Sequence, residues 1–198
     1  MCPLLYTNTI REVGVTLILE NDINRNEDKK CYLSGLSNIR KSKVISNSSS
    51  YNRISNVYKI SSDYELSIFN SSDFVNSMNL ALNDAGINIE DVDAVFSCAC
   101  GHPGLDLQEY EAIREVFNDK VDIVAIQGVF GANLGGNFML NCAAAIASFK
   151  YQCLPPTKGI NGELKGINTE KKEHKLKTIL VNGYNDLGNI ISGVLQWI

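Results

Sequence analysis

The stretch 92–113, VDAVFSCACGHPGLDLQEYEAI, constrains the fold more than any other part of the chain. An apolar run of Val92, Ala94, Val95 and Phe96 stops at a small-residue turn, Cys98-Ala99-Cys100-Gly101. A helical pattern starts near Leu105, with Asp106 and Glu109 early and Ala112, Ile113 and Val116 on one apolar face. Strand, tight turn, helix is the building unit of an open α/β sheet, and such sheets carry their functional side chains outside the carboxyl ends of the strands. The turn here holds two thiols, Cys98 and Cys100, and one imidazole, His102.

The same alternation extends to both sides. Residues 14–20 read as a β-branched strand, 21–30 as a polar turn, and 31–45 as a second strand region broken at Gly35. A Ser-, Asn- and Tyr-rich insert, about 46–72, reads mostly as loop, with short extended pieces near Val57-Tyr58 and Leu66 to Phe69. Asp73 is expected to cap a helix whose apolar side is Phe74, Met78, Leu80, Ala81 and Leu82 and which ends at Gly86. After the central unit, whose helix runs to about Phe117, VDIVAI at 121–126 predicts a strand. QGVFGANLGG at 127–136 predicts a Gly-rich turn opening a helix to about Tyr151, with Leu134, Phe138, Cys142, Ala145 and Phe149 in one stripe. A break at Leu154-Pro155-Pro156 leads to a polar, lysine-rich loop at 159–174, and 177–182 and 190–196 predict two closing antiparallel strands. The expected fold is therefore α/β, one domain over 1–198, with a mixed sheet of about five strands layered with helices.

Composition narrows the function. A net charge of −4 over 198 residues disfavours a general nucleic-acid binder, which needs a basic face. No apolar run approaches the roughly 18 residues of a membrane span. The first residues show no basic region followed by a long apolar core, so no secretory signal is expected. The six cysteines are irregularly spaced, which points to reduced thiols and a cytoplasmic location rather than a disulfide framework.

Several constellations carry chemistry, and each has a plainer reading beside it. Cys98, Cys100 and His102 have ligand character, but a structural zinc site wants four ligands from paired clusters, and the remaining cysteines and His174 are isolated; no metal or cofactor is expected. Cys98 or Cys100 with His102 as base would make a nucleophile, if the imidazole lies within hydrogen-bond reach. The glycines of GVFGANLGG would suit a phosphate cradle, yet the lysine of a phosphate-binding loop is missing, and close helix–strand packing explains them. Asp106 and Glu109 most simply favour the dipole of their helix. The Lys165 to Lys177 run reads as a solvated loop, with docking of an acidic carrier protein as the weaker reading.

Taken in order, these motifs resemble the C-terminal half of a β-ketoacyl synthase, in the thiolase-like superfamily. GVTLILE is similar to the strand after that family's GEG segment, with Glu12 at its glutamate. ALNDAGINIEDVDAVFS is similar to its A-L-x-D-A-G helix and following strand, Leu154-Pro155-Pro156-Thr157 to its I-P-P-T segment, and LVNGYNDLGNIISGVL to its closing hairpin. The resemblance implies one half of a two-half fold, with the cysteine nucleophile on the other half and two histidines on this one.

The departures lie at those histidines. The family's H-G-T-S-T-P-x-x-D stretch falls on Cys98 to Asp106, so Cys98 stands where the first histidine would be, while Pro103 and Asp106 are kept. In the K-S-x-x-G-H stretch, Gln127 stands at the lysine and Ala132 at the histidine; the closing G-F-G-G is eroded to Asn185, Asp186, Leu187 and Gly188. The histidines polarise a thioester carbonyl, a contribution of a few kcal/mol each. Phe96, Pro103, Leu105, Asp106, Glu109, Ala112 and Ile113 match the chain-length-factor branch, F-A-D-G-A-A-x-P-x-L-D-x-x-E-A-x-A-I, better than the active one. The resemblance thus implies a non-catalytic subunit paired with a ketosynthase or a complementary N-terminal half. It would serve chains on an acyl carrier protein, with Phe130, Ala132, Leu134 and Tyr184 lining or supporting an acyl tunnel. An active acyltransferase using Cys98 or Cys100 with His102, and a structural remnant of a ketosynthase, are the rival readings.

Overall fold

The computed structural model describes residues 31–40, 70–99, 101, 103–131, 133, 135–160, 164–185 and 189–198. The expected strand at 14–20, the turn at 21–30, the end of the second strand region past residue 40 and the insert up to residue 69 lie outside these residues, as do Cys100, His102, Ala132 and Leu134.

In chain order, β1 is Cys31–Arg40, α1 Ser71–Ala85, β2 Ala94–Phe96, α2 Pro103–Phe117 and β3 Asp122–Val124. These are followed by the short α3, Gln127–Phe130, then α4, Asn137–Tyr151, β4, Cys153–Leu154, and β5, Lys172–Glu173; β6, Thr178–Asn185, and β7, Asn189–Trp197, complete the described elements. Five strands form one sheet in the order β1-β7-β6-β2-β3. The β1, β7 and β6 pairings are antiparallel, whereas β6, β2 and β3 run parallel. The mixed α/β sheet expected from the alternation is thus present, with longer closing strands and shorter central ones than the pattern suggested.

Side-chain alternation explains the layering. Val95, Leu180, Ile190 and Val194 meet Phe74, Met78 and Ala81 of α1 and Ile113 of α2 on one face. Ala94, Phe96, Val124, Ile179, Val181 and Leu195 meet Leu140, Ala145 and Phe149 of α4 on the other. Trp197 stacks on Phe149 there, with ring centroids 5.6 Å apart.

Four local expectations need correction. The cap of α1 is Asn70, not Asp73: Asn70 accepts from the Asp73 N–H while the Asp73 carboxylate accepts from the Asn70 N–H, a capping box that starts the helix at Ser71. Leu80 is 54% exposed, because Phe74, Met78, Ala81 and Leu82 follow the helical period and position 80 falls on the opposite side. The Gly-rich turn contains the helical turn α3, closed by Gly131 N–H donating to the Gln127 carbonyl at 2.7 Å. The lysine-rich stretch is not simply a solvated loop. Ile123 N–H donates to Gly166 O and Asn168 N–H to Ile123 O, both at 2.8 Å, so this segment covers the outer edge of β3. Lys165 and Arg114 both pair with Asp119, tying the segment to the end of α2.

The closest backbone approach is at Gly35, where β1 shifts register between Leu33 and Gly35. A Cβ there would lie 2.2 Å from Ala81 O and 2.7 Å from Ala85 N, so α1 would have to move off the sheet. Gly35→Ala is expected to destabilise the protein by about 3 kcal/mol in urea unfolding. Leu80→Ala, on the exposed side of the same helix, is expected to change stability by less than about 0.5 kcal/mol.

Candidate functional site

The carboxyl ends of β2, β3 and β6 converge on the turn that follows β2. Glu109, on α2 and fully buried, faces this turn. Its carboxylate accepts from Ser97 Oγ at 2.7 Å, the Cys98 N–H at 3.0 Å, the Ala99 N–H at 3.1 Å, Cys98 Sγ at 3.1 Å and Asn182 Nδ2 at 3.0 Å. All five are donors, which is what an acceptor-only carboxylate requires. Asp106, one turn earlier, accepts from the Gly101 N–H at 3.0 Å. The two acidic residues that sequence alone assigns to the helix dipole therefore hold the backbone of the turn.

The network continues through the sheet. Ser192 Oγ donates to Asn182 Oδ1 at 2.8 Å. From the opposite face, Asn141 of α4 donates Nδ2 to Ser97 O and Asn182 O, each at 3.0 Å. Asn137, at the start of α4, donates to Tyr184 O at 2.6 Å and accepts from the Tyr184 N–H at 3.2 Å. Sequence reading missed Asn137, Asn141, Asn182 and Ser192. Their one signal is a small polar residue at a position the apolar period assigns to the core, as in LVNG and MLNC.

Of the candidate residues, Cys98 and Gln127 come to the same edge, after β2 and β3 respectively. The Cys98 thiol is fully buried and donates to Glu109. Its hydrogen is turned to Glu109 and its sulfur has no exposed surface; both run against nucleophilic attack. Gln127 is buried, and among the described residues neither its Nε2 nor its Oε1 has a partner. Phe130 lies on α3, half-exposed beside Val129, and Tyr184 is partly buried at the end of β6. Cys100, His102, Ala132 and Leu134 are outside the described residues. Among the described residues no helix is long and apolar enough to cross a membrane.

Two predictions come from this geometry. Glu109→Gln replaces an acceptor with an amide that turns an N–H₂ toward existing donors; it is expected to cost about 3 kcal/mol or more in urea unfolding. Cys98→Ala removes one donor of five and is expected to cost clearly less. The second concerns two other thiols: burial pushes Cys142 up to about 12 and Cys31 up to about 11 from an ordinary 9.0. The unfolded chain ionises these thiols first, so their contribution is complete below pH 9.0 and is lost as pH rises through about 11 for Cys31 and about 12 for Cys142. Iodoacetamide mapping at pH 8 is expected to leave both unmodified until the protein is unfolded.

The comparisons with known proteins agree on one family. The β-ketoacyl synthase C-terminal domain family matches residues 57–161, just over half of the chain. The tetracenomycin polyketide synthase ketoacyl synthase beta subunit of Streptomyces glaucescens is 33% identical over 107 residues, covering 54% of this chain and 26% of that protein. Nodulation protein E of a Rhizobium species is 26% identical over 116 residues, covering 54% of this chain and 29% of that protein. The matched region thus spans only about a quarter of these relatives' length. Among solved structures, the ishigamide ketosynthase/chain length factor superposes with a TM-score of 0.60 at 22% identity, covering 64% of this chain and 33% of that one. A ketosynthase in complex with its chain length factor from Xenorhabdus doucetiae superposes with a TM-score of 0.64 at 17% identity, covering 87% of this chain and 40% of that one. Those structural likenesses carry the fold, a thiolase-like half, and the family match carries the kinship: the chain belongs to the β-ketoacyl synthase C-terminal domain family.

Proposed function

We propose that this chain is a non-catalytic, chain-length-factor-like ketosynthase subunit that acts in the cytoplasm in polyketide or fatty-acid-type biosynthesis. It pairs with a condensing enzyme, or with a complementary N-terminal half, and serves acyl chains held on a carrier protein. The observation that carries this reading is the state of Cys98. At the place where the resemblance puts an imidazole stands a thiol with no exposed surface, committed to a buried carboxylate. A donor in that position has nothing to offer a thioester carbonyl. Ala132 at the other histidine position removes the second imidazole.

Pairing is supported by the uneven layering of the sheet. Helices α1 and α2 cover one face and α4 the other, and the outward side of α4 carries Met139, Ala143, Ile146 and Ala147, with no charge before Lys150. An uncharged helix side of this length is suited to burial against another layer. We take residues 1–198 as one such half, with 46–72 as an insert. The beta-subunit relative and the ketosynthase–chain-length-factor structures suggest what the other layer is.

The test is co-expression with a candidate ketosynthase partner, followed by size exclusion and a product assay. Co-elution is expected, and Cys98→Ala in the complex is expected to leave condensation within about twofold of wild type. Loss of product to background in that variant, or an acyl adduct on Cys98 after exposure to an acyl thioester, would move the assignment to an active acyltransferase. Absence of co-elution would favour a remnant without a partner.

A further inference from the structure

Two free thiols that the proposed function does not use meet on the α4 side of the sheet. Cys31 opens β1 and is partly buried, and Cys142 lies in α4 and is buried. Strand register turns Cys31 toward α4: it stands opposite Trp197, as Leu33 stands opposite Leu195, and both Leu195 and Trp197 belong to the apolar cluster under that helix. Two contacts align β1 with α4. At one end, a Cβ at Gly193 would lie 2.9 Å from Phe138 Cζ and 3.2 Å from Leu33 Cδ1, so these two side chains meet over Gly193. At the other, Phe149 stacks on Trp197, the residue opposite Cys31. Four residues along α4 from Phe138 to Cys142 span about 6 Å, and two residues back along β1 from Leu33 to Cys31 span about 6.6 Å. The two thiols therefore come level. Cys142 also registers its neighbour: burial is the main cause of its raised pKa, and the Cys31 thiol is the second. The helix rides close at this place, because Gly183 and Gly193 put no side chain beneath Phe138; a Cβ at Gly183 would sit 2.5 Å from Phe138 Cβ. A disulfide needs Cα atoms within about 7 Å, and close approach of helix and sheet is what favours that separation.

We propose that Cys31 and Cys142 form a redox latch, which a small disulfide such as oxidised glutathione closes by cross-linking β1 to α4. In the closed fold both thiols are shielded, so the latch is set when the start of β1 lifts from the sheet. That end of β1 is suited to opening: β1 is the last strand of the described sheet, and its pairing shifts register between Leu33 and Gly35, which leaves Cys31, Tyr32 and Leu33 paired apart from the rest. The Cys31 thiol loses its proton and attacks the glutathione disulfide, forming a mixed disulfide and releasing one glutathione thiol. As β1 closes, the Cys142 sulfur loses its proton and attacks the Cys31 sulfur, which releases the second glutathione thiol. Two electrons pass from the two cysteines to glutathione disulfide, and the two protons end on the glutathione thiols. The other described cysteines are engaged elsewhere, Cys98 with Glu109 and Cys153 with the Leu154 carbonyl.

The latch is independent of the subunit reading, and its test starts from the full reduced chain in urea. The chain is refolded in a mixture of reduced and oxidised glutathione, quenched with acid, labelled with N-ethylmaleimide and mapped as unreduced peptides. The Cys31–Cys142 bridge is expected to be roughly tenfold more abundant after refolding than in a control kept in urea with the same mixture, because only the fold brings these two thiols together. The bridged protein is expected to unfold at a higher urea concentration than the reduced protein. Cys31→Ser and Cys142→Ala are each expected to abolish that gain, and the wild-type peptide map needs no variant. Recovery of both cysteines as maleimide-labelled thiols after refolding, or a bridge no more abundant than in the urea control, would overturn the latch. A bridged form that unfolds at the same urea concentration as the reduced form would overturn it as well.

Discussion

A carboxylate with no exposed surface, ringed by five donors, holds the carboxyl edge of this sheet together. Burying such a group costs several kcal/mol, and only well-placed donors offset it. The donors on Glu109 come from the turn after β2 and from Asn182 on β6, while the carboxylate itself is carried by α2. The position of each element is therefore conditional on the others. A one-residue slip of β6 would turn Asn182 to the α4 face and remove its donor. Ser192 on β7 adds a further lock, because it reaches Asn182 only when Asn182 and Ser192 stand opposite each other, as they do.

The opposite face is fixed by close approach rather than by charge. At Gly183 a Cβ would sit 2.5 Å from Phe138 Cβ, so β6 and the start of α4 touch nearly backbone to backbone. Asn137 then bonds both backbone groups of Tyr184, which sets the axial position of α4. Asn141, one turn on, reaches the carbonyls of Ser97 and Asn182. The helix with the apolar outward side is thus itself keyed to the carboxyl edge, through Asn137 and Asn141.

The architecture was readable from sequence to the extent that period and punctuation determine it. The continuous apolar run in TILV and the helical spacing of Phe74, Met78 and Ala81 predict the strand and the helix seen. Leu80 was misplaced by hydrophobicity alone, since its angle on the helix, not its type, decides exposure. The lysine-rich stretch hid its role because edge covering is done by main-chain groups, such as those of Gly166 and Asn168, which leave no mark on side-chain pattern. The site was half visible. The strand–turn–helix unit gave its place, but one partner of Glu109, Asn182, comes from 73 residues away, and a buried asparagine reads like a surface one until its strand is placed.

The way the turn is held also determines which of its positions can vary while its shape persists. Three of the hydrogen bonds that define it are made by backbone N–H groups, those of Cys98, Ala99 and Gly101, and any residue but proline supplies such a group. Ser97, Asn182, Glu109 and Asp106 supply the side chains that matter for geometry, and the Cys98 sulfur adds a single donor. Position 98 is therefore open to exchange at modest cost, whereas position 109 is not. A turn supported in this manner can exchange the residue at position 98 and keep the sheet, and the fold itself persists at TM-scores of 0.60 and 0.64 with identities of only 22% and 17%.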